Sequence, residues 1–156
     1  MQTNNKHLIV SGLLLVLILL FITSCGGHPD PIDYGKDECE FCRMQITDNK
    51  YGAEIVTGKG KTYKFDSMEC MLGFALLKNL VGDRDNRLLI SNFNNPGELL
   101  DARHSFYIKN DNFRSPMGLN VTAFGSKDAM NKFLSKNDGE SLTWLDVIEL
   151  AKQRSM

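Results

Sequence analysis

The sequence has no surplus of charge: 18 lysines and arginines face 19 aspartates and glutamates, for a formal net charge of −1. A balance this close gives nucleic acid, or any strongly charged surface, nothing to recognise at long range. Cysteine is scarce, with four in the chain. Cys25 stands apart near the N-terminus, which leaves Cys39, Cys42 and Cys70 for the body. An odd number of thiols argues against a purely structural disulfide framework. No second C-x-x-C and no H-x-x-x-H accompanies Cys39 and Cys42. The four N or S ligands of a closed structural zinc site are therefore missing. Arg43 stands where the attachment motif of a c-type haem needs histidine, which excludes that group.

What is present begins with residues 8–23, LIVSGLLLVLILLFIT, an apolar run without a charge. It is short for a membrane span and has the proportions of a signal-peptide core. Ile22-Thr23-Ser24-Cys25 follows, an aliphatic residue and two small ones before a cysteine, as in the lipobox of bacterial lipoproteins. The expectation is a signal peptide over 1–24 and a lipid on Cys25, with an uncleaved N-terminal anchor as the plainer alternative. Either places the body outside the cytoplasm, held to a membrane surface; which membrane stays open. Two or three acyl chains give stable attachment where one is marginal. Residues 25–37, rich in glycine and proline after Cys25, read as a flexible tether.

The body contains an internal echo. FDSMECMLGF (65–74) and FGSKDAMNKF (124–133) align at an offset of 59 as F-x-S-x-[E/D]-x-M-x-x-F. The flanks agree. Two β-prone runs, 53–57 and 61–65, are joined by Gly58-Lys59-Gly60 before the first copy; runs at 105–109 and 120–124 precede the second. Ser67 and Ser126 are placed to cap helices over 67–80 and 126–136. Third strands are expected at 87–93 and 140–144, and a closing helix over 145–154. The fold class is thus α+β, two tandem ββαβ units over 38–95 and 96–156; a single domain with a chance echo is the alternative.

CEFCRM (39–44) carries the chemistry. Cys42 and Met44 are two apart, so in an extended segment their side chains share a side. Cys39 joins them if Glu40-Phe41 turns. Two thiols and a thioether suit a soft ion, and Cu(I) is the soft biological candidate. A C-x-x-C outside the cytoplasm also fits a thiol–disulfide oxidoreductase, although a hairpin rather than a helix follows it here, and it fits a plain disulfide. Met117, in the SPMG loop of the second unit, is poor core material between Pro116 and Gly118 and is level with the first unit's hairpin turn; packing beneath its own loop is the alternative. Met68, Met71 and Met130 read as core. Cys70, whose repeat counterpart is Ala129, reads as a small buried helix residue, with an extra metal-site thiol as the other reading. His28 in the tether and His104 at a strand start read as solvated or hydrogen-bonded, with a supplementary ligand role as the other reading.

In this order, lipobox, tether, C-x-x-C-x-M, K-x-Y-x-F-D and a later P-M-G before AF, the chain resembles the NosL family of copper lipoproteins encoded with bacterial nitrous oxide reductase. The resemblance spans essentially the whole sequence. It implies two similar ββαβ halves and a non-enzymatic protein that binds Cu(I) through Cys42, Met44 and Met117, with Cys39 as an adjunct. It further implies a metallochaperone facing the periplasm. Its partners would be the reductase, whose copper centres it supplies, and the associated ABC-transporter assembly. Two departures stand out: Arg43 where the family often has glycine, and a cysteine at position 70.

Overall fold

The computed structural model describes residues 30–155. The expected signal peptide, the lipidation site Cys25 and His28 lie outside the described residues. Strands β1 (Ala53–Val56) and β2 (Thr62–Phe65) form the first hairpin, in register from Ala53 opposite Phe65 to Val56 opposite Thr62. Its turn needs the left-handed conformation that Gly60 supplies, at φ 82°. Helix α1 (Met68–Leu77) starts as the serine signal predicts: the Ser67 hydroxyl accepts from the Cys70 amide at 3.3 Å. β3 (Arg87–Asn92) then returns antiparallel to β1.

The second half repeats this plan. β5 (Phe106–Lys109) pairs with β6 (Val121–Phe124), α2 (Lys127–Leu134) is capped by Ser126 through the Ala129 amide at 3.1 Å, and β7 (Glu140–Leu142) pairs back onto β5. Strand order is β2-β1-β3 in one half and β6-β5-β7 in the other, so both place their first strand in the middle. Helix α3 (Trp144–Ser155) closes the chain.

Three expectations need correction. β4 (Asn95–Asp101) was not foreseen; it adds an edge strand beside β3, so the expected boundary at 95/96 cuts into the first sheet. Pro96 and Gly97 disguise it, and proline is tolerated because an edge strand leaves N–H positions unpaired. The third strand of the second half stops at Leu142, because Thr143 caps α3. Its amide and hydroxyl donate to the Asp146 carboxylate at 2.8 and 2.6 Å, and the Asp146 amide donates back to the Thr143 hydroxyl at 3.3 Å. The tether is shorter than residues 25–37, since Ile32 and Tyr34 pack on the core and Lys64 donates to the Pro31 carbonyl at 2.9 Å.

The two helices of the repeat differ in burial. α1 is apolar on most sides and buries Met68, Cys70, Met71, Leu72, Gly73, Phe74 and Ala75; α2 buries only Met130. A helix covered this fully lies inside a fold. α1 sits between its own sheet and α3, at the seam between the halves.

Candidate metal centre

CEFCRM forms the turn of a small hairpin closed by the bridge between Glu38 and Gln45. The Cys39 amide donates to the Met44 carbonyl at 2.8 Å and the Arg43 amide to the Cys39 carbonyl at 3.0 Å. Glu40 and Phe41 do turn the chain, as Cys39 required. The extended stretch expected from Cys42 to Met44 is not there, because Arg43 has φ 64°, and a left-handed residue breaks side-chain alternation. Cys42 turns inward and is half-buried, while Met44 points out and is 54% exposed.

The Phe41 ring lays this turn against α1: a Cβ on Gly73 would come within 2.9 Å of it, so only glycine admits the ring at that approach. One helical turn earlier on α1 is Cys70. One ligand atom from each of Cys39, Cys42, Asp66 and Cys70 lies within 4.8 Å of all the others. Cys39, Asp66 and Cys70 are buried, and all three thiols are free.

The cluster has a defined proton arrangement. A hydrogen bond from the Cys70 thiol holds the Cys39 thiol below its ordinary range, against the effect of burial, and the amides of Cys42, Asp66 and Phe41 add to it. The same hydrogen bond, with burial and the Asp66 carboxylate, raises Cys70. Burial raises Cys42, whose thiol donates to Asp66 at 3.4 Å. The donor set fits Cu(I): three thiols for a soft ion, with one carboxylate, a hard donor, accepting from Cys42 beside them.

Met117 approaches from the other half. Its loop is tied to α1 through Glu69, which accepts from the Ser115 hydroxyl and, at 3.0 Å, from the Leu119 amide. Gly118 at φ 78° and Asn120 at φ 61° complete the loop's turns. A cavity of about 220 Å³ lies between the elements, lined by Phe41 of the turn, Cys70 and Leu77 of α1, Met117 and Leu119 of the loop, and Arg154 of α3. Met117 is 42% exposed at its edge.

The structure therefore joins Cys39 and Cys42 to Cys70, whose alternative reading was an extra metal-site thiol, and to Asp66, which sequence reasoning missed as a ligand. It sets Met117 across a cavity from them and leaves Met44 on the surface of the turn. Cys70 is buried, as its reading as a small helix residue required, and is also one of the clustered thiols. Both residues occupy positions where the repeats disagree, Asp66 against Gly125 and Cys70 against Ala129. His104 lies in a short 3₁₀ turn, Ala102–His104, ahead of β5 rather than at its start, 82% exposed and 3.3 Å from Asp101.

Comparison with known proteins agrees with this architecture. The NosL family matches residues 32–151. The copper-binding lipoprotein NosL of Stutzerimonas stutzeri is 25% identical over 172 residues, covering 97% of this chain and 87% of that protein. The crystal structure of the copper chaperone NosL from Shewanella denitrificans superposes with a TM-score of 0.60 at 19% identity, over 75% of this chain and 92% of that one. With the family matched from the docked N-terminal segment through α3, this chain belongs to the NosL family.

Proposed function

We propose that this chain is a lipid-anchored carrier of Cu(I) in the cell envelope, facing the periplasm, and that it supplies copper for the centres of nitrous oxide reductase, in contact with that enzyme's ABC-transporter assembly. The carrying observation is the gathering of three thiols around one buried carboxylate, beside exposed thioethers at Met44 and Met117. Cys42, half-buried between the deep thiols and the surface, is the cysteine on which uptake depends. Exposed thioethers let ligands be exchanged one at a time, which suits a donor better than a closed four-coordinate cage. The similarity to a protein named a copper-binding lipoprotein supports both the cargo and the anchor. Carriage needs no bond made or broken in a substrate, so no enzymatic step is assigned.

An oxidoreductase normally carries its pair at a helix N-terminus, whereas here the pair sits in a hairpin turn. Titration of the reduced protein with Cu(I) against a chromogenic chelator tests the reading. Cys42→Ser should weaken binding by more than about 100-fold, since loss of an outer-shell partner alone costs 10–100-fold. Unchanged affinity in Cys42→Ser would sink the assignment.

A further inference from the structure

Cys70 belongs to two environments at once. Its sulfur is in the cluster with Cys39, Cys42 and Asp66, and its side chain also lines the cavity that Met117 borders. No other residue is in both. The turn side of the cluster is closed by backbone: the amides of Phe41, Cys42 and Asp66 are directed at the Cys39 sulfur, and the Met44 amide at the Cys42 sulfur. The cavity side is closed by nothing comparable. Its walls are mostly apolar, with Glu69 and Arg154 the charged residues among them, and Phe41, Leu77 and Met117 are exposed around it.

We propose that Cys70 is a copper ligand, and that copper leaves the cluster through the cavity behind it, passing by way of Cys70 toward Met117. This rests on the Cu(I) reading above. Cu(I) takes two to four soft ligands, so a thioether can join three thiolates before one departs and no uncoordinated ion crosses the cavity. The position is built for it: the other repeat carries Ala129 here, so helix packing alone does not require sulfur, whereas the cluster does. The Glu69 bonds to Ser115 and Leu119 hold the Met117 loop to the same helix, which fixes the distance the ion must cover.

Two measurements on the full mature chain loaded with Cu(I) test this. Copper-edge X-ray absorption should find three sulfur neighbours in the wild type and one fewer in Cys70→Ala, with affinity reduced by about 100-fold or more. Cys70→Ala takes the residue that the second repeat already tolerates. Release into excess dithiothreitol, followed by stopped flow, should slow at least tenfold when the cavity is filled by Ala151→Leu or its rim is blocked by Leu77→Trp, with affinity held within threefold. Leu77 is exposed, so the second variant reads out even if the first is destabilised. Leu145→Trp, at an equally exposed site outside the cavity lining, should leave the release rate unchanged. A wild-type sulfur count preserved in Cys70→Ala overturns the ligand assignment, and release slowed by neither cavity variant, or equally by Leu145→Trp, overturns the route. Wild-type protein that fails to bind Cu(I) overturns the reading of function, and this inference with it.

Discussion

Arg43 shows what one residue contributes to a loop that has to turn sharply. At φ 64° it adopts a conformation that costs an L-residue with a Cβ roughly 1–2 kcal/mol. Its exposed ion pair with Glu40, at 3.4 Å, returns little. Glycine would relieve the strain and give back part of the gain in unfolded-chain entropy. Arg43→Gly should therefore raise stability by about 0.5 kcal/mol, and Arg43→Val should lower it by more than about 1 kcal/mol. Thermal melts of the reduced, metal-free protein check both signs. The turn thus calls for a backbone that glycine supplies freely, and this chain meets it with arginine under strain. At the same scale, CEFCRM was legible as the site because its spacing is chemistry in itself. Cys70 was read first as filler, with a metal-site thiol as the alternative: within an apolar helix a thiol and a small apolar side chain look alike, and only the folded partners tell them apart. Asp66 closes the K-x-Y-x-F-D run and differs from Gly125 in the second repeat, but neither signal marks it as a ligand.

At the scale of an element, the segment 30–37 acts as a cover. β1 turns Ala53 and Ile55 to the core and Glu54 to the opposite face. There Lys64 pairs across from Glu54 on β2, and Leu89 lies opposite it on β3. The N-terminal segment crosses this face, with Tyr34 against Ser91 at 3.4 Å and Asp37 and Asp30 on Lys64 at 2.8 and 3.1 Å. Glu54 ends fully buried, and neither carboxylate oxygen has a hydrogen-bond partner among the described residues; the Ile32 amide faces it without completing a bond. Burial pushes its pKa up to about 7; Lys64 opposes this, and Asp30 and Asp37 add to it. A carboxyl raised in the folded state binds more protons folded than unfolded, so its contribution is complete below about pH 4.5 and is lost as pH rises toward 7. Urea midpoints at pH 5 and pH 8 should show wild type losing about 1–3 kcal/mol relative to Glu54→Gln, which stays protonation-independent. A parallel response of the two proteins would remove Glu54 from the account. Hairpins, caps and the α3 segment were legible because glycine, serine and periodicity mark them locally. The cover and β4 were not, because glycine and proline in 26–37 and 95–97 carry the same local signal whether a segment is free or docked.

For the whole molecule, Phe93 joins the halves. It lies in the β3–β4 turn of the first half, yet its ring sits 5.4, 5.9 and 5.7 Å from Phe113, Phe124 and Phe133 of the second. Its amide donates to the Ala123 carbonyl at 2.9 Å, linking the strands of the two sheets. Phe93→Ala should cost about 2–4 kcal/mol, somewhat less than a fully buried phenylalanine because the ring is partly exposed. Denaturant unfolding measures this, and the transition should stay single, since the larger core already spans both halves through Tyr107, Val121 and Ala123. Duplication was legible from five matched positions. A site completed by Met117 from the other copy was also read from the repeat; that the thiols and the carboxylate would all come from the first copy was not, because only the fold brings Asp66 and Cys70 to the CEFCRM turn.

The docked cover also sets a length. With the lipid on Cys25, as proposed, and Asp30 already paired with Lys64, four residues lie between the anchor and the folded body. Fully extended, the five steps from Cys25 to Asp30 reach at most about 18 Å, less than the width of a small domain. A leash that short keeps the body at the lipid headgroups and forbids it from searching the periplasm. Whatever takes copper from it must meet it there, within one protein diameter of the membrane surface.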